Sequence, residues 1–307
     1  MSNNTHASLA RVISTILNDY EEWNEPFDPS QLPSKEPLTA ITGTRDRALF
    51  LTFTSSVNYR RPADRLWRTA AELWRDYRWV FEPATVVARG QDELTAVFKE
   101  VGMQFHNQDA KYWFQNARTF HEEFDDSPLE LFSANNDDAV AILQSVRRHP
   151  DLLGLGGQKI GPLWMRQIHE EVRPLTRVPE LDIPVDTQIQ KVTAVLLGEE
   201  LSNESIRRFW RDFSRIHGFD PVIVDRPLWI LGSIWDDGGE AYLRETMASE
   251  GYQPSELLSG SETVPVRANY DSDEEWVTAV AAFLRVPEQT VHDVLEEAAQ
   301  TSFFVCR

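Results

Sequence analysis

The chain has 307 residues, with 49 acidic and 30 basic side chains, a formal net charge of −19 and an apolar fraction of 41%. That is enough apolar content for a buried core, and no stretch approaches the roughly 18 consecutive apolar residues of a membrane span. A single cysteine, Cys306, excludes disulfides within the chain, cysteine-rich zinc sites and four-cysteine iron–sulfur clusters.

The charge argues against a nucleic-acid partner, because phosphate binding is driven largely by Lys and Arg releasing counterions. Two arrangements would reconcile such a partner with it. Acids can cover the solvent face while a cleft stays basic, or the acidic surface can reflect a high-salt cytoplasm. The opening MSNNTHASLARVIS lacks the apolar core of a secretory signal, so a soluble, cytoplasmic protein is expected.

In chain order, Ser8 to Glu22 reads as one helix, and Pro26, Pro29, Pro33 and Pro37 cannot continue it. Residues 1–44 are therefore expected as an N-terminal helical arm laid against the main body. Helices then follow with short connections from about Asp46 to Ala248. Leu66, Trp67, Ala70, Leu73 and Trp74 recur at the three-and-four spacing of one helix face, as do Leu94, Val97, Phe98 and Val101, and then Ala110, Trp113, Phe114, Ala117 and Phe120.

Two stretches are locally basic. Tyr59 to Arg78 holds Arg60, Arg61, Arg65, Arg68, Arg75 and Arg78 against Asp64, Glu72 and Asp76, and Arg207, Arg208, Arg211 and Arg215 follow Asn203. Such runs are commonly solvated faces paired with nearby acids; phosphate contact is the alternative. Beyond Gly251 comes a polar segment, a short strand-like alternation from Val264 to Tyr270, and amphipathic helices at about Glu274–Leu284 and Glu288–Ala299. The predicted fold class is mostly α.

The most informative segment is Leu152 to Gly198, LLGLGGQKIGPLWMRQIHEEVRPLTRVPELDIPVDTQIQKVTAVLLG. A helix from Ala139 to Arg148 precedes it, and Gly154, Gly156 and Gly157 form a turn from which a second helix opens near Gln158. Such a turn presents free N–H groups and the positive end of a helix dipole, the makings of a phosphate site. Lys159 lies in the first turn, where the dipole disfavours a cation and so favours the nucleophilic amine. After Pro184, Asp186 stands at an N-cap before the helix Thr187 to Leu197, where a carboxylate is held rigidly by backbone N–H groups. Taken alone, Lys159 is as well read as an exposed phosphate clamp, and Asp186 as a cap.

The segment resembles the helix-hairpin-helix DNA glycosylase superfamily, whose bifunctional members carry a pattern like L-P-G-V-G-x-K-x-A, then V-D-T/V-H-V, then R-L-G. Lys159 matches the Schiff-base lysine, Asp186 within Val185-Asp186-Thr187 the essential aspartate, and Leu196-Leu197-Gly198 the helix end. Upstream, ELTAVFKEVGMQFHNQDAKYWFQNARTFHEEFDDSP is similar to the family's approach helices, and FLTFTSSVNYRRPADRLWRTAAELW to the helix pair carrying its strand-separating residues. The resemblance covers roughly residues 45–235. Four departures accompany it. GLGGQK replaces G-h-G-x-K, by insertion before Lys159 or by Leu155 in place of the first glycine. The connection to Asp186 is longer than in most bifunctional members, Gln188 stands where many members have histidine, and PLWILGSIWDDGGE lies where relatives of endonuclease III place cluster cysteines.

The resemblance implies a two-lobed helical fold with the helix-hairpin-helix at about 139–173, a glycosylase core over 45–235 and a C-terminal helical extension over 236–307 packed on the core. It implies removal of a damaged base, oxidised bases being among the candidates, from double-stranded DNA, with strand cleavage through a Lys159 Schiff base and Asp186. Gly154, Gly156, Gly157, Arg60 and Arg61 would contact the DNA backbone. Trp113, Phe114, Trp164 and Trp210 are candidates for holding the flipped base, although Trp and Phe at helical spacing are more often core. No metal or iron–sulfur cluster is implied, a monovalent cation at the hairpin being the one candidate ion, and the protein would act as a monomer, at the nucleoid in a prokaryote. The competing readings are a monofunctional glycosylase with water activated by Asp186, a non-catalytic DNA-binding module, and a hydrolase of modified nucleosides.

Overall fold

Helix boundaries follow local chemistry. Asp138 accepts from Ala141 N at 2.9 Å, Ser202 from Ser205 N at 3.2 Å and Asp220 from Val222 N at 2.9 Å, each satisfying a helix N–H that lacks an intrahelical acceptor. Gly198 and Gly218 close their helices at φ +73° and +74°, a conformation that favours glycine. The computed structural model describes residues 2–254, with side chains from residue 7, together with residues 272, 274, 277 and 278. It contains α1 (Ser2–Glu22), α2 (Lys35–Thr39), α3 (Thr44–Ser56), α4 (Ala63–Asp76), α5 (Pro83–Arg89), α6 (Gln91–Glu100) and α7 (His106–Glu123). Then follow α8 (Pro128–Ala134), α9 (Ala139–Arg148), α10 (Ile160–Glu171), α11 (Thr187–Leu197), α12 (Asn203–His217), α13 (Pro221–Ser233) and α14 (Gly239–Ser249).

The protein is mostly α, as its periodicity predicts, and no strand occurs among the described residues. Asp138 and Thr176 form an isolated parallel bridge. The predicted strand at 264–270 and the two predicted helices beyond it lie outside the described residues, apart from Glu274, Val277 and Thr278.

Apolar side chains gather into two cores. One is built almost entirely from a continuous stretch, Leu38 to Leu181, with Phe50, Phe53, Phe81, Phe98, Trp113 and Trp164 at its centre. The other combines Leu9, Val12, Ile13 and Ile16 of α1 with residues between Ile183 and Tyr252, most of them on α11 to α14. The segment expected as an arm is thus divided between the cores: Leu38 and Ile41 join the first, whereas α1 is a structural part of the second. Its apolar face, fully buried at Leu9, Val12 and Ile16, stabilises through about 1.5–3 kcal/mol for each such side chain.

Charges cross from α10 to α13. Arg166 pairs with Asp225, and Arg226 with Glu170. Burial pushes the Arg166 guanidinium down to about 10, with Glu170 pulling it back, so it remains a cation at neutral pH.

Candidate active site at the hairpin

The hairpin between α9 and α10 is held from three sides. The Asn116 side chain, fully buried on α7, accepts from Leu153 N at 2.7 Å and donates to Leu153 O at 3.0 Å, engaging both backbone groups of one residue. Gly154, at φ +77°, lies so close to the end of α3 that a Cβ would sit 1.9 Å from Ser56 O. Arg147 Nε donates to Gly156 O at 2.9 Å. At Gly161, a Cβ would meet Leu143 Cδ2 at 3.0 Å, so the absence of a side chain lets α9 and α10 approach closely.

The three predicted glycines consequently differ in surroundings. Gly154 packs on α3, Gly156 faces Arg147, and Gly157 opens onto empty space. Gly157 and Gln158 are exposed, and among the described residues no backbone carbonyl accepts from the N–H groups of Gly157, Gln158 or Lys159. Helix α10 begins at Ile160, with Lys159 as its N-cap, two residues later than the sequence suggests. Arg147 and Arg148, both exposed in the last turn of α9, add positive charge beside this turn; neither was singled out in the sequence.

Lys159 and Asp186 are 27 residues apart in the chain, yet Lys159 Nζ lies 3.2 Å from Asp186 Oδ2. The lysine side chain is 40% exposed and the aspartate 15%, so the pair sits at an opening rather than in the core. Asp186 caps α11 as expected: Oδ1 accepts from Gln188 N at 2.9 Å and from Ile189 N at 3.2 Å. Oδ2 also accepts from Trp229 Nε1 at 3.1 Å, a contact the sequence did not reveal. Trp229 comes from α13, and only the rotation of that helix against α11 brings it there. The arrangement offers a rigid carboxylate, an amine in contact with it, and free backbone donors at a helix start.

Other predicted residues fall elsewhere. Arg61 is withdrawn from the role of backbone contact: its side chain is 4% exposed and its two Nη atoms bond Asp109 at 2.8 and 2.5 Å. The acid that claims it lies a full 48 residues downstream, on α7. Arg60 is exposed and stacks over the Tyr59 ring with 5.0 Å between guanidinium carbon and centroid. In the second basic run, Arg207, Arg211 and Arg215 pair with Glu204, Asp182 and Asp212.

Trp113, Trp164 and Trp210 are fully buried core residues, not pocket walls, with indole N–H groups donating to Val80 O, Thr52 Oγ1 and Thr193 Oγ1. Phe114 packs partly buried against the first core. Two hairpin carbonyls that could face a cation, those of Leu153 and Gly156, already accept from Asn116 and Arg147.

No protein-family model matches the chain, and no curated protein matches it. Among the described residues, no helix is long and apolar enough to cross a membrane, and no group of three or more His, Cys, Asp or Glu is placed to hold a metal ion.

Proposed function

We propose that the protein is a DNA glycosylase of helix-hairpin-helix type that removes a damaged base and cleaves the strand with Lys159 as nucleophile. The observation that carries this reading is the 3.2 Å contact between Lys159 Nζ and Asp186 Oδ2 beside a hairpin with free N–H groups. A lysine in contact with a fixed carboxylate can pass a proton to it and attack as the amine. The departing base takes up that proton, and Asp186, again a carboxylate and anchored by two backbone N–H groups, faces the positive charge that the deoxyribose gains, without having to reorganise. Lys159 bonds to C1′ while the C1′–N bond breaks and its electron pair leaves with the base. The bond from C1′ to the ring oxygen O4′ then breaks as the nitrogen gives a proton to that oxygen and forms the C1′=N bond of the Schiff base, and loss of a C2′ proton breaks the C3′–O bond so that the 3′ phosphate leaves.

The surroundings supply the remaining parts of the reading. Gly157, Gln158 and the Lys159 backbone would hold a phosphate at the N-terminus of α10, with Arg147 and Arg148 alongside. Tyr59, 60% exposed, and Arg60 lie just beyond the end of α3 that packs on Gly154, and on this reading would enter the duplex where the nucleotide is extruded. A monovalent cation at the hairpin would have to use carbonyls other than those of Leu153 and Gly156.

A panel of duplexes, each bearing one lesion, tests the reading. Wild type is expected to release one base class and to give a borohydride-trapped covalent adduct, and Lys159→Gln to give none. Base release without nicking or adduct would turn the assignment to a water-based reaction, and binding without release on any duplex would refute the enzyme.

A further inference from the structure

Asp186 accepts from four donors: Oδ1 from the N–H groups of Gln188 and Ile189, and Oδ2 from Trp229 Nε1 and Lys159 Nζ. The two backbone donors belong to the cap, and the lysine is the group that must leave to react. That leaves Trp229 without a duty in the mechanism above. Its placement is rigid. One turn further along α13, Gly232 meets the start of α11 so closely that a Cβ would sit 2.6 Å from both Cβ and O of Gln188. This approach seats the indole against the cap and is open only to glycine.

We propose that Trp229 is a positioning residue for Asp186, holding Oδ2 in place during the interval when Lys159 has moved to the sugar. The proposal rests on the lyase reading. An indole N–H donates but neither accepts nor takes up a proton, so it competes with Lys159 for nothing. With Oδ1 held by the cap and Oδ2 by Trp229, the carboxylate plane stays fixed when the lysine departs. A donor on Oδ2 also favours the charged carboxylate over the protonated acid. It thereby biases Asp186 toward facing the developing sugar cation. The protons balance with Asp186 ionised: one Lys159 proton passes by way of Oδ2 to the departing base, which leaves with the glycosidic electron pair, while the lysine lone pair forms the bond to C1′.

Two measurements on the full chain test this. In the first, the Trp229 indole N–H resonance is assigned by its loss in Trp229→Phe and followed in Asp186→Asn. It is expected to move further than any other indole signal, and an unmoved resonance would overturn the proposal. In the second, single-turnover adduct formation on the responsive lesion duplex is compared across variants. Trp229→Phe is expected to lower the rate about 10- to 100-fold with DNA affinity retained, and Trp229→His, which restores a ring N–H, to recover part of it. In an Asp186→Asn background, Trp229→Phe should cost nothing further, whereas additive losses would mark a merely structural tryptophan and refute the role. Should wild type form no adduct and release no base, the lyase reading falls, and the indole resonance still decides whether Trp229 holds Asp186.

Discussion

Asp186 serves two masters, and a single substitution separates them. Its Oδ1 caps α11 while Oδ2 faces Lys159 and Trp229. Asn caps a helix about as well as Asp, and an ion pair with a 40% exposed lysine contributes at most about 1 kcal/mol. Asp186→Asn should therefore leave thermal stability within about 1 kcal/mol of wild type while slowing adduct formation to a small residual rate; a large loss of stability in chemical denaturation would show the two duties to be inseparable. At this scale, legibility in the sequence depends on range. The cap was readable because Val185-Asp186-Thr187 and the following helix are local. Trp229, bonded across 43 residues, and the capture of Arg61 by Asp109 depend on how distant helices rotate, which no local pattern encodes.

Among the elements, α9 and α11 take the bounds that their periodicity and caps predict, Ala139–Arg148 and Thr187–Leu197. The glycine turn was recognisable as a turn, but its three glycines could not be told apart, because each answers to a different neighbour. Gly154 combines φ +77° with backbone at 1.9 Å from a Cβ, so neither strain nor overlap can be relieved by moving a side chain. Gly154→Ala is expected to cost more than about 2 kcal/mol. Gly157→Ala, with open space around the new methyl, should stay within about 0.5 kcal/mol. Urea titration of the two variants measures the contrast, and equal effects would show that α3 does not seat the hairpin as described.

Across the whole molecule, α10 and α13 are joined by buried charge. Arg166→Met would strand the carboxylate of Asp225, itself 3% exposed, at a cost of about 3–5 kcal/mol. The double variant Arg166→Met with Asp225→Leu should recover most of that loss, since burying an ion pair costs about as much solvation as the pair regains. Failure of the second change to rescue the first in denaturant titrations would show that the pair holds the helices by more than mutual neutralisation. Helical class was legible at this scale because apolar spacing is local; the closing of α1 onto α11 to α14 was not, because a proline-rich stretch separates them and only the finished core joins them.

That closure sets an order on events at the ribosome. The first core is nearly continuous in the chain and can assemble as it emerges, since domains generally fold as units during synthesis. Helix α1 precedes the first core in the chain while its partners follow that core, so it must wait with Leu9, Val12 and Ile16 uncovered. Lys159 belongs to the early unit and Asp186 to the late one. A nascent chain halted before α13 would therefore carry the lysine but not the full set of donors around Asp186, and the proposed chemistry would wait until translation has passed Trp229.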